Sequence, residues 1–243
     1  MAIRLQKSIE GAVIPDQYKN VSFSINYLSS RRRLTCAAEQ FNNPRVHYED
    51  TGPEIIEAVV STPSTESDPS SGKVDVLVAG VGTGGTVTGV SRALKAHNQE
   101  CIVVGVDPVS ILLLLFLIFS ALSHPFQRGS ILAVPESLND LKRGMSYVVE
   151  GTGYDFIPQV LSRSCVDVWI KTDDDESFVG VKQLMRYEGL LVGGSSGSAL
   201  CGALKWLRET VEGRRIAETE GANVVIIVPD GYVRVTVLGL SSY

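Results

Sequence analysis

The sequence is short of cysteine and has no Cys-x-x-Cys pair. Cys36, Cys101, Cys165 and Cys201 are its four cysteines, scattered over 243 residues. That spacing excludes a disulfide framework and an ordinary zinc site, and it makes a reducing, cytoplasmic setting the expectation. Histidine is scarcer still. His47, His97 and His124 are the three present; none is spaced for a metal, so each reads as structural or surface-exposed rather than as a ligand. Positive charge is also in short supply, with 22 Lys and Arg against 27 Asp and Glu. With Arg31-Arg32-Arg33 as the one basic run, no nucleic-acid partner is expected. The apolar run Ile111 to Leu122 (ILLLLFLIFSAL) spans about 12 residues, short of the roughly 20 a membrane-crossing helix needs. The first ten residues lack the apolar stretch of a secretory signal, so neither a membrane partner nor a targeting segment is expected. There is no internal repeat.

What is present is a rhythm of apolar strands and helices. Val74 to Gly80 (VDVLVAG) is β-branched and apolar, ends in glycine, and precedes helical spacing over Val87 to Leu94. Cys101 to Val106 (CIVVGV) reads as a second buried strand, which completes a βαβ unit. Further on, the pattern predicts a strand over Ser164 to Ile170, a helix over Asp174 to Tyr187, a short strand at Leu190 to Val192, a helix over Ser198 to Val211, and a last strand over Val224 to Val228. Strands alternating with helices at this spacing imply an α/β fold, a three-layer doubly wound and mostly parallel sheet. The stretch 62–73 (TPSTESDPSSGK) has no periodicity and reads as a flexible surface loop. The acidic run Asp173 to Glu176 stands at a helix start, where it complements the helix dipole. Trp169 and Trp206 read as core or interface residues.

Two glycine-rich loops carry the chemistry. Gly80, Gly82 and Gly85 satisfy G-x-G-x-x-G, and Asp107 follows at the end of the next strand, where a ribose-binding acid would stand. On spacing alone this permits an NAD-binding Rossmann protein. The same loop also reads Gly82-Thr83-Gly84-Gly85-Thr86, two hydroxyls and several unobstructed backbone N–H groups at a helix start, which suits a compact phosphate monoester. Packing glycines with no ligand are the bland alternative. The second loop, Gly193 to Ser198 (GGSSGS), also runs into a helix, and its serines could be simple caps. In a doubly wound sheet both loops would lie at the carboxyl ends of strands, where such folds bind ligands.

The ordered blocks GAVIPDQYKN, FNNP..HY, VLVAGVGTGGTVTGVSRALK, VVGVDP, GSILAVPESLN, VEGTGYDFIPQVL, DVWIKTDDDESF and EGLLVGGSSGSA resemble the cystathionine β-synthase and cysteine synthase family, of fungal type. The resemblance implies a fold-type II pyridoxal 5′-phosphate enzyme, similar in fold to the tryptophan synthase β subunit, that joins serine and homocysteine into cystathionine in cysteine biosynthesis. It implies a homodimer, and it leaves a cysteine synthase acting on O-acetylserine and sulfide as the alternative. Carried over by position, Gly82, Thr83, Gly84, Gly85 and Thr86 match the phosphate loop. Ser195 matches the partner of the pyridine nitrogen. Gln17 matches a substrate-side contact, and Gly151 and Tyr154 match the loop closing over the substrate, while Thr152 stands where the family is usually apolar. A serine there, unlike an aspartate, does not hold the ring nitrogen protonated, which favours loss of a β-substituent.

The sequence also departs from the family. The family's Schiff-base lysine belongs to a small domain preceding the first matching block. None of Lys7, Lys19, Lys73, Lys95, Lys142, Lys171, Lys182 or Lys205 stands in its motif, so the expectation is a partial catalytic domain over 1–243, a large domain without the small one, inactive by itself. Omitting 21–40 or 109–127 restores family spacing. Both segments begin Val-Ser and end in Gln, as introns translated in frame would. An exposed apolar insert of this kind is an aggregation hazard.

Overall fold

The structure, a computed structural model, describes residues 43–109, 130–139 and 147–229. Gln17, the segment 21–40 and nearly all of 109–127 lie outside the described residues. The helices are α1 (Asn43–Val46), α2 (Gly52–Ser61), α3 (Gly85–His97), α4 (Asp174–Gln183), α5 (Gly194–Glu209) and α6 (Val211–Ala217), and the strands are β1 (Val76–Gly80), β2 (Ile102–Pro108), β3 (Val168–Thr172) and β4 (Val224–Ile226). The strands form one sheet in the order β3-β2-β1-β4. Every pairing is parallel, with Val76 opposite both Ile102 and Val224, and Val104 opposite Val168.

The strands are rich in valine and isoleucine because both faces of the sheet are covered. Leu77, Ala79 and Val103 face α3, packing with its Val87, Val90 and Leu94. Val76, Val78, Val104 and Val106 face the other way, onto Ala203 and Trp206 of α5. The result is the expected three-layer α/β arrangement. Trp206 is fully buried and Trp169 nearly so, so both are core residues.

The helix at 174 begins as the acidic run predicts. Asp173 Oδ1 accepts from the Glu176 amide at 2.7 Å, and Glu176 Oε2 accepts from the Asp173 amide at 3.2 Å, a reciprocal capping box. Elsewhere the boundaries move. β3 starts at Val168 because Arg163–Cys165 forms a 3-10 turn ahead of it. Of Leu190 to Val192, only Val192 makes a strand-like bridge. The helical run over 43–61 is not signalled by periodicity. Pro44 and Pro53 each stand in a first turn, where the missing N–H is not needed, and a π-type turn, His47–Thr51, joins the two helices. The stretch 62–73 runs over the surface, and its Ser70, Ser71 and Lys73 carbonyl are bonded by the Asn223 side chain.

Candidate active site

The strand order reverses between β1 and β4: β2 and β3 extend to one side of β1, and β4 lies on the other. In open parallel sheets the crevice at the carboxyl ends of such a pair is where ligands bind. The first glycine loop leaves β1 at this point. Gly84 is the N-cap of α3 with φ of +87°, a left-handed conformation that favours glycine, and no side chain caps the helix. The first N–H groups of α3 are therefore open to a ligand at the positive end of the helix dipole.

The second loop arrives at the same place. A Cβ added at Gly80 would stand 2.9 Å from Thr152 Cγ2 and 3.8 Å from the Ser195 carbonyl oxygen, and one at Gly82 would run into the Gly151 carbonyl. The Gly153 amide donates to the Val81 carbonyl at 2.8 Å. Three segments far apart in sequence, the glycine loop, Gly151 to Tyr154 and the start of α5, thus close on one point. Glycine at 80 and 82 is what lets them approach.

The serines of the second loop are not caps. Gly193 is the N-cap of α5, with no side-chain capping bond, and Ser195 and Ser196 lie in the first turn behind it. Ser195 is 3% exposed, and its hydroxyl does not cap the helix. Ser198 is committed instead to Thr172 Oγ1 at 2.7 Å.

The Gly151 to Tyr154 segment is braced from below. The Tyr154 amide donates to Ser130 Oγ at 3.1 Å, and Ser130 Oγ donates to Asp107 Oδ1 at 2.5 Å. The Tyr154 ring packs on the core and stands 5.2 Å from that of Phe156. Thr152 is 4% exposed, and its hydroxyl has no hydrogen-bond partner among the described residues. Asp174 accepts from the Val148 and Val149 amides at 2.8 and 3.1 Å, holding the chain just before Gly151.

Asp107 corrects the dinucleotide reading. Its carboxylate is 0% exposed, bonded to Lys171 Nζ at 2.5 Å, to Ser130 and to the Ala133 amide at 3.3 Å. Burial pushes its pKa above the ordinary 3.8 while Lys171 and the two hydrogen-bond donors pull it back. A carboxylate occupied in this way has nothing left for a ribose diol. The sequence reads His47 as structural or surface-exposed; the structure sets its Nε2 3.0 Å from Thr86 Oγ1. The signal for this was thin, a histidine four residues ahead of Thr51 on what proves to be a helical turn.

A family model described as pyridoxal-phosphate dependent enzyme matches residues 1–230. A cystathionine β-synthase of Dictyostelium discoideum is 41% identical over 215 residues, covering 88% of this chain and 33% of that protein. One of Rattus norvegicus is 40% identical over 230 residues, covering 95% of this chain and 30% of its own length. A cysteine synthase of Buchnera aphidicola is 31% identical over 189 residues, 77% of this chain and 47% of that protein. The chain thus spans about a third of the cystathionine β-synthases it matches. A crystal structure of an O-ureido-L-serine synthase with O-ureido-L-serine bound has a TM-score of 0.57 at 23% identity, over 81% of this chain and 48% of that one, a likeness of fold.

Proposed function

The chain belongs to the pyridoxal-phosphate dependent enzyme family, and from that premise we propose that it is the cofactor-phosphate-binding part of a lyase that condenses serine and homocysteine by β-replacement. The observation that carries this reading is the convergence of the start of α5, with its buried Ser195, on the glycine cradle of β1, beside a Thr152 hydroxyl that is buried with no hydrogen-bond partner among the described residues. The residues fit the cofactor: an uncapped helix start for its phosphate at one end, and a neutral hydroxyl for its ring nitrogen at the other.

When bound, pyridoxal phosphate supplies an electron-withdrawing ring that acidifies the α-proton of an amino acid. The chain's own residues bind and orient. The N–H groups of Gly82, Gly84 and Gly85, with the Thr83 and Thr86 hydroxyls, hold the phosphate. The Ser195 hydroxyl would donate one neutral hydrogen bond to the ring nitrogen, which as an uncharged pyridine nitrogen can only accept, and this favours release of the β-substituent. Gly151 and Tyr154 close over the substrate, Gln17 contacts it, and their closure excludes water. The higher identity to cystathionine β-synthases than to the cysteine synthase favours serine and homocysteine over O-acetylserine and sulfide.

The 243-residue chain by itself is proposed to be inactive. Lys73, Lys95, Lys171 and Lys205 are each held in an ion pair, with Glu100, Asp167, Asp107 and Glu176. No lysine of the sequence stands in the family's lysine motif. A cytoplasmic homodimer is the assembly the family resemblance favours for the intact enzyme.

The test compares this chain with a version that lacks 21–40 and 109–127 and carries the family's lysine-bearing segment ahead of it, each titrated with pyridoxal phosphate. Only the second is expected to show the visible band of covalently held cofactor and to form cystathionine from serine and homocysteine. Preference for O-acetylserine and sulfide would move the assignment to cysteine synthase. Binding of NAD without pyridoxal phosphate would overturn it.

A further inference from the structure

The phosphate loop is tied to a residue outside the glycine motif. His47 Nε2 is 3.0 Å from Thr86 Oγ1, and His47 Nδ1 is 3.0 Å from Thr51 Oγ1. The imidazole thus bridges two threonine hydroxyls, one of them in the cradle. It reaches Thr86 because α1 lies directly on α3 at Gly89. A Cβ at that position would stand 2.6 Å from His47 Cβ and run into the Pro44 carbonyl oxygen.

Hydrogen-bond accounting sets the direction of this relay. A neutral imidazole has one N–H donor and one acceptor, a hydroxyl has one hydrogen to give, and an ionised phosphate only accepts. If Thr86 gave its hydrogen to Nε2, its lone pairs would face the phosphate oxygens and repel them. For Thr86 to donate to the phosphate, Nε2 must carry the hydrogen and donate to Oγ1. Nδ1 is then the acceptor and the Thr51 hydroxyl the donor. Resting on the reading of the glycine loop as the cofactor-phosphate site, we propose that His47 is a positioning residue: its Nε2–H, fixed by the Thr51 hydroxyl at Nδ1, holds the Thr86 hydroxyl as a donor to the phosphate. Burial pushes the His47 pKa below its ordinary 6.5, which keeps the ring neutral at neutral pH.

The test uses the whole chain, with pyridoxal 5′-phosphate and unphosphorylated pyridoxal as probes in equilibrium dialysis, and 15N NMR of the imidazole as a readout independent of any ligand. The expected tautomer is Nε2–H. His47→Leu is expected to weaken pyridoxal phosphate binding about tenfold, the worth of one charge-assisted hydrogen bond, and to leave pyridoxal binding unchanged. His47→Gln, whose amide can donate from near the Nε2 position, stays within about threefold of wild type on the same scale. An Nδ1–H tautomer overturns the proposal even if the leucine variant fails to fold. So does equal loss of both probes in His47→Leu, which marks a structural role, or failure of glutamine to rescue, or wild-type affinity in the leucine variant. If the unsubstituted chain binds neither probe, the phosphate-site reading itself has failed and takes the relay with it.

Discussion

Asp107 and Lys171 show how one buried pair can organise a binding crevice. The carboxylate at the end of β2 holds the Lys171 ammonium from β3, and through Ser130 it reaches the amide of Tyr154. Lys171 Nζ also lies 3.3 and 3.4 Å from the Ser130 and Pro108 carbonyl oxygens. The pair therefore fixes where 130–133 and 151–154 sit relative to the sheet. Removing one member leaves the other charged and buried, at a cost of about 3–5 kcal/mol. Asp107→Asn is accordingly expected to lower stability by that order in urea unfolding. Adding Lys171→Met should cost less than the sum of the single substitutions, because the stranded charge is then gone. Strictly additive losses would show that the two side chains do not act as a pair.

Among the elements, the contact of α4 with α5 decides where Ser195 stands. The helices meet at two glycines. A Cβ at Gly197 would lie 2.7 Å from Val181 Cγ2, and one at Gly180 would lie 2.8 Å from Cys201 Sγ. Alanine is the better helix former by about 1 kcal/mol, so propensity alone predicts that Gly197→Ala stabilises. Steric crowding against helix backbone is the larger effect, about 1–3 kcal/mol for an overpacked core. Gly197→Ala is therefore expected to lower the melting temperature and, by pushing the first turn of α5, to weaken cofactor binding. A raised melting temperature would show that the two helices are not in close contact.

The whole molecule bears on the segment 109–127. The described chain leaves the sheet at Val109, whose amide donates to the Thr172 carbonyl at 2.7 Å, and returns at Ser130, bonded to Asp107. Departure and return lie side by side at the end of β2, so the intervening stretch closes a loop rather than bridging a distance. Loop closure depends only weakly on loop length, and shortening the loop also removes an apolar run. Deletion of 109–127 is expected to leave the far-UV circular dichroism of the sheet and helices unchanged and to raise soluble yield. Loss of the folded spectrum would show that the segment is a structural part of the protein.

The sequence by itself determined the features whose physics is local. The β-branched runs of β1 and β2 announce strands buried on both faces. The acidic run Asp173 to Glu176 announces a helix start because it complements the helix dipole there. Gly82 to Thr86 and Gly193 to Ser198 announce small-residue loops that run into helix starts. Those signals carried the α/β layering, the parallel sheet and the family. Tertiary structure alone decided which distant groups meet. It spent Asp107 on Lys171, 64 residues away, rather than on a ribose. It placed Ser195 within α5, freeing its hydroxyl from capping, and it set His47 against Thr86, 39 residues on. Such pairings depend on the packing of one helix or strand against another, an energy that no short window of residues contains.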